Sequence, residues 1–247
     1  MATYLRNVEI NTIWEATEAI YDVLTGEGWQ VIQGSPHDLP MVLGGQEVNS
    51  VRPYLRFDDP EEIGITLTMY GDALGDRTRL SRACSWSIGS EHRLWMAADN
   101  EACCIYIKDQ WNPGVAYHAG ALERIDPNDG WAWAVGLLNN SPYSGVYQVA
   151  RGFSRQTYWL DNTPHRGIYS NIFTDSWSLE TQVLGAPILA PYFRFYGNEF
   201  RGIVKFAVSG LAGAPGGAEY EQRDPETGEV TKIYVCSGVG AFEVFSA

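Results

Sequence analysis

The chain has 247 residues and a mass of 27.5 kDa, room for one large domain or two small ones around a substantial core. An apolar content of 45% excludes a disordered chain. The net charge of −13, from 17 basic and 30 acidic side chains, argues against a nucleic-acid or anionic-membrane partner, because phosphates need a basic footprint.

The first ten residues lack the basic start and apolar run of a secretory signal, so the chain is expected to be made and kept in a cytoplasm. The most apolar window, residues 183–193, is short and holds Pro187 and Pro191, which excludes a spanning helix there. Thr12-Ile13-Trp14-Glu15 reads as a capping box, in which Thr and Glu each satisfy an orphan backbone N–H. Ile13, Ile20, Val23 and Leu24 then recur with helical period, and Gly26 is the expected stop. Residues 29–32 follow as the expected first strand, so the chain should begin helix first, strand second. Residues 52–57 and the alternating Ile63, Ile65, Leu67 and Met69 flank Asp58-Asp59-Pro60-Glu61-Glu62 as a hairpin. A strand over residues 80–88 is expected to turn at Gly89-Ser90-Glu91 and pair with residues 93–98. Asp99-Asn100 turns again into residues 102–108. Consecutive hairpins predict an antiparallel meander with the helix across one face, an α+β, mainly β class.

Between residues 113 and 174 the punctuation loosens, with strands expected at 115–125 and 157–160. The last third recovers it. Residues 192–196 and 200–208 flank Gly197, and residues 219–223 and 229–236 flank Asp224-Pro225-Glu226-Thr227-Gly228, a turn with Pro and Gly where such turns want them. The division is residues 1–180, an α+β part with long aromatic connections, and residues 181–247, a β-hairpin-rich part that either stands apart or belongs to the same domain.

Candidate chemistry is sparse. Gly210–Gly217 lacks the Lys-Ser/Thr and the helix of a phosphate loop, and neither Gly-x-Ser-x-Gly nor His-Glu-x-x-His occurs. Cys84, Cys103, Cys104 and Cys236 show no CxxC spacing, and His37, His92, His118 and His165 are scattered, so no zinc site is expected. The cysteines read as free thiols, with adjacent Cys103 and Cys104 on opposite faces of a strand. Asp58, Asp59, Glu61 and Glu62 have calcium-ligand chemistry without the EF-hand spacing, and Pro60 marks a plain turn. His118 is a candidate general base, since imidazole titrates near neutrality, but no nucleophile motif adjoins it, and a hydrogen-bonded, half-buried histidine is the expectation. The expectation is no catalytic residue, no cofactor and no metal.

The aromatic surplus of 9 Trp, 14 Tyr and 9 Phe remains, as does the rarity of lysine: only Lys108, Lys205 and Lys232 among 17 basic residues. Arg and aromatic rings are favoured at protein interfaces, although a G+C-rich genome yields the same Arg bias. The candidate contact residues are Tyr143, Tyr147, Arg151, Phe153, Arg155, Tyr158, Trp159 and Arg166, with the loop 210–217 as a second surface. Core burial is the alternative for these rings.

In layout the chain resembles tailed-bacteriophage virion structural proteins. The segments that carry the likeness are Glu27-Gly-Trp-Gln-Val31, Ile105-Tyr-Ile-Lys-Asp-Gln-Trp111, Ala116-Tyr-His-Ala-Gly-Ala-Leu122, Phe200-Arg-Gly-Ile203 and Val235-Cys-Ser-Gly238. The resemblance implies a non-enzymatic building block of the tail, neck or baseplate, assembled in the host cytoplasm. Its partners would be other virion proteins and its own copies, with no nucleic acid and no membrane. A glycan-binding module or host-recognition adhesin is the alternative function, and a cell-wall hydrolase a third.

Overall fold

A computed structural model describes residues 2–50, 52–58, 64–70, 84–87, 91–108, 114–129, 132–139, 149–150, 182–183, 186–187, 190–196, 199–209, 214–236 and 241–247. The fold is mainly β, with one helix among the described residues. In chain order the elements are β1 (Thr3–Ile10), α1 (Ile13–Gly26), β2 (Gln30–Ser35), β3 (Asp38–Gly44), β4 (Tyr54–Asp58), β5 (Gly64–Tyr70), β6 (Cys84–Ser87), β7 (His92–Ala98), β8 (Ala102–Lys108) and β9 (Val115–Arg124). They continue with β10 (Trp133–Asn139), β11 (Val149–Ala150), β12 (Gln182–Val183), β13 (Ala186–Pro187), β14 (Ala190–Tyr196), β15 (Glu199–Ser209), β16 (Glu219–Arg223), β17 (Val230–Cys236) and β18 (Ala241–Ser246). The helix is neither long nor apolar enough to cross a membrane.

The large sheet runs β1-β7-β8-β9-β15-β18-β17-β16, with β10 also on β9, β11 on β10 and β14 on β15. A five-stranded sheet runs β2-β3-β4-β5-β6, and β12 pairs with β13. The joint of the large sheet is β9. Its first residues pair with β8, from Val115↔Ile107 to Gly120↔Ala102, and its last pair with β15, from Leu122↔Val204 to Arg124↔Gly202. One hydrogen-bonded sheet therefore runs across residue 181.

Strand β8 explains how two cores form. It is buried from Ala102 to Ile107, so its sequence is a continuous apolar run, yet its pleat still alternates. Cys103, Ile105 and Ile107 enter one core with Leu94, Met96, Tyr117 and helix residues Ile13, Ile20 and Leu24. Cys104 and Tyr106 enter the other, with Trp95, Val204, Ile233, Val235 and Phe242. The expected placement of Cys103 and Cys104 on opposite faces holds.

The helix packs as its period predicts: Ile13, Ala16, Thr17, Ile20, Val23 and Leu24 are buried. Its cap differs in one partner. Thr12 Oγ1 accepts from Glu15 N–H at 3.2 Å, whereas the Glu15 carboxylate accepts from Asn11 N–H at 2.7 Å, one residue before Thr12. The helix ends at Gly26 as expected, and the left-handed glycine that closes it lies two residues beyond. Gly28, at φ +89°, lets its own N–H reach Thr25 O at 3.0 Å and Trp29 N–H reach Leu24 O at 2.9 Å. That is the Schellman pattern, and Trp29 joins Leu24 in the helix-side core.

Two expectations are corrected. The chain begins with a strand, β1, which pairs antiparallel with β7 and carries a bulge between Leu5 and Val8. The described part of the strand expected before Glu91, β6, pairs with β5 and not with β7. Both edges of β7 are taken, one by β1 and the other by β8, so no edge is left for β6.

Candidate functional site

The ends of the large sheet, β1 and β16, approach each other without a backbone ladder in common. Side chains close part of that seam. Arg6 donates through Nε and Nη2 to Glu219 Oε2, at 2.8 and 2.5 Å, and Trp95 Nε1 donates to Glu219 Oε1 at 2.8 Å. Tyr4 OH donates to Glu243 Oε1 at 2.7 Å, and Lys232 Nζ donates to Glu243 Oε2 at 2.5 Å. Burial and the Glu243 carboxylate together push the Tyr4 phenol well above its ordinary pKa.

Beyond Arg6 the seam opens into a cleft of about 580 Å³, lined in part by Asn7, Glu9, Glu91, Arg93, Lys108 and Glu219. Backbone in the left-handed region shapes its rim: Asn7 at φ +52°, in the β1 bulge, and Glu91 at φ +65°, just before β7. Glu91 is held by its N–H donating to Asn11 Oδ1 at 3.1 Å. Trp95 forms the floor, only 4% exposed and tilted against Tyr106 with ring centroids 5.3 Å apart. It has little face left for stacking on a sugar ring.

Two of the carboxylates here, Glu9 and Glu219, are paired within the protein. Glu9 pairs with Arg93 at 3.1 Å. Burial would raise the Glu219 carboxyl, but the hydrogen bonds from Arg6 and Trp95 outweigh it and hold the group below the usual carboxylate range. A second network sits at the β7–β8 turn. Lys205 Nζ is 2.7 Å from both Asp99 Oδ2 and Glu101 Oε2, and Arg124 Nη1 is 2.7 Å from Glu101 Oε1. Asp99 Oδ1 also accepts from the N–H groups of Glu101 and Ala102, both at 2.8 Å. Burial again opposes ionisation of Glu101, and the bonds from Lys205 and Arg124 again win, so its pKa is lowered. This network clamps the β7–β8 turn to β9 and β15.

The free thiols Cys103, Cys104 and Cys236 are buried. Burial raises all three, Cys236 to about 12, which keeps them protonated and poor nucleophiles near neutral pH. His118 is fully buried, not half-buried, because it stands opposite Cys104 on the inner pair β8–β9. Asp58 is held by Arg56, whose Nε lies 2.9 and 3.1 Å from its two carboxylate oxygens. Asp59, Glu61 and Glu62 lie outside the described residues. No group of three or more His, Cys, Asp or Glu side chains is placed to hold a metal among the described residues.

The expected contact residues Tyr143, Tyr147, Arg151, Phe153, Arg155, Tyr158, Trp159 and Arg166 lie outside the described residues. Of the loop 210–217, residues 214–217 are described, and this end is tied down: Gly217 N–H donates to Cys236 O at 2.7 Å.

A further surface went unnoticed in the sequence. β2 is the edge of the five-stranded sheet, and Val31 and Ile32, adjacent on it, are 43% and 42% exposed. Residues 28–36 carry no charge, but longer uncharged runs such as residues 110–122 fall on inner strands, so sequence neutrality does not single out this edge. Comparison with protein-family models, with curated proteins and with solved structures yields no match to the chain.

Proposed function

We propose that the chain is a non-enzymatic structural subunit of a bacteriophage virion, of its tail, neck or baseplate, joined to other virion proteins and to its own copies. The observation that carries the assembly reading is the uncharged β2 edge with Val31 and Ile32 exposed on it. A sheet edge offers a row of backbone donors and acceptors, and proteins that work alone usually guard such edges with charge. The seam cleft suits the same role. Glu219 and Glu9 pair with Arg6 and Arg93, and Glu91 and Lys108 add one charge of each sign, so it presents a polar, nearly neutral surface for contact.

The phage assignment rests on the resemblance of segments 27–31, 105–111, 116–122, 200–203 and 235–238. Purified phage particles from a strain encoding this chain test it. Mass spectrometry should find the chain in stoichiometric amounts, and electron microscopy should place it in the tail, neck or baseplate. Its absence from intact particles, or turnover of peptidoglycan abolished by a single acid-to-amide change, would sink the proposal.

A further inference from the structure

We propose that the seam cleft is a binding site for a small zwitterion of the α-amino-acid type, with Lys108 taking its carboxylate and Glu91 its ammonium group. The inference goes beyond the reading of the chain as a virion subunit and does not depend on it.

The charges of the cleft point to that ligand. Glu9, Arg93 and Lys108 are register partners in one row across β1, β7 and β8, so their side chains leave the sheet on the same face. The row reads minus, plus, plus. Glu9 answers Arg93 at 3.1 Å, and Lys108 is left over. The chain's other lysines are matched: Lys205 to Asp99 and Glu101, both at 2.7 Å, and Lys232 to Glu243 at 2.5 Å. Among the described residues Lys108 has no carboxylate partner, and the Glu91 carboxylate on the same cleft has no cation. Nor do these two pair with each other. A ligand with one negative group alone would suit Lys108 but meet the carboxylates of Glu9, Glu91 and Glu219. One with a positive group alone would suit Glu91 but meet Arg93 and Lys108. A ligand bearing one charge of each sign suits both spare side chains and sets no like charges together.

The backbone of the cleft is held for a purpose other than regular pairing. Asn7 and Glu91, at φ +52° and +65°, both line it, and left-handed backbone outside glycine gathers where function requires a fixed position. Gly217, at φ +82°, is the third such residue on its wall. A Cβ there would fall 3.1 Å from Lys108 Cδ, 3.3 Å from its Nζ and 3.6 Å from Trp95 Cη2. The lysine therefore lies along the bare glycine, beside the indole, and its ammonium is placed rather than loose. The Asn7 carboxamide adds donors and an acceptor for either end of the ligand. At about 580 Å³ the cleft falls within the range of small-molecule sites, about 300–1,000 Å³, and leaves room for a side chain beyond the charged head.

Isothermal titration of the full chain with each of the standard L-amino acids, up to millimolar concentration, tests this. At least one should bind saturably, one per chain. Its N-acetyl form lacks the ammonium and its amide lacks the carboxylate, so each should bind about tenfold more weakly or worse. Lys108→Met keeps the stem without the charge, and it should weaken the free amino acid about tenfold while no longer distinguishing it from the amide. Glu91→Gln should do the same with respect to the N-acetyl form. Glu221→Gln on β16, a residue that does not line the cleft, should bind as wild type does, and matching thermal melts would show all three variants folded. The inference is overturned if no amino acid binds saturably, if the blocked forms bind as well as the free one, or if binding survives both Lys108→Met and Glu91→Gln. None of these results bears on whether the chain is found in phage particles, so the subunit reading stands or falls by its own test.

Discussion

Gly28 and Gly120 both hold backbone that side chains rarely adopt, at φ +89° and +130°, and they should respond very differently to alanine. Around Gly28 an added Cβ meets nothing within 4 Å. Gly28→Ala should therefore cost only the left-handed conformation, about 1 kcal/mol. At Gly120 the same atom would fall 2.3 Å from the Glu101 carbonyl oxygen and 2.4 Å from Ala102 Cα, backbone that cannot swing aside. Gly120→Ala should cost at least about 3 kcal/mol in urea melts, because β8 and β9 must part to admit it. Equal costs at the two sites would refute this account. Glu101 supplies a pH dependence. Its carboxyl is lowered in the folded state, so on acidification the unfolded chain takes up the proton first, near the ordinary value of about 4.3, and stability falls with pH from there. Glu101→Gln should lose about 2 kcal/mol at neutral pH and show a flatter acid limb than wild type. Parallel acid limbs would mean that other carboxylates set the slope.

Among the elements, α1 makes the sharpest prediction. Ile20 is fully buried against the sheets, so Ile20→Ala should cost about 3 kcal/mol, while Asp22→Ala on the opposite face stays within about 0.5 kcal/mol of wild type. The helix was legible because its apolar stripe recurs with one period from Ile13 to Leu24. The β7–β8 turn was legible from Asp99-Asn100, whose aspartate does cap the following N–H groups. β1 was not legible, for its bulge at Arg6 and Asn7 breaks the alternation that marks a strand, and Asn7 then reads as a turn residue. The pairing of β6 was misjudged because nearness in sequence stood in for nearness in space. Which edges of β7 are occupied depends on β1, ninety residues upstream. The seam cleft was out of reach for the same reason. It needs Glu9, Lys108 and Glu219 together, three residues with no local relation.

At the scale of the whole molecule, the two cores share β7 and β8 as a common wall. They should therefore unfold together. Ile105→Ala on the helix side and Val204→Ala on the far side should each shift the same single calorimetric transition, by roughly 2–4 kcal/mol. Two separable transitions, each moved by only one of the substitutions, would show the cores to be independent. The β9–β15 joint adds a reason to expect one. Its three register pairs and the Lys205–Glu101–Arg124 ion cluster tie the C-terminal strands to the first hairpins.

The common wall has a consequence for how this gene can change. In a strand buried on both sides, position along the chain decides which interior a side chain enters. Adding or deleting one codon within β8 would send Tyr106 toward the helix and Ile105 toward the far strands, exchanging the contents of both interiors at once. Exchanges of one apolar residue for another are borne there at modest cost, and changes of length are not. Along this stretch, inheritance must keep count more strictly than it keeps spelling.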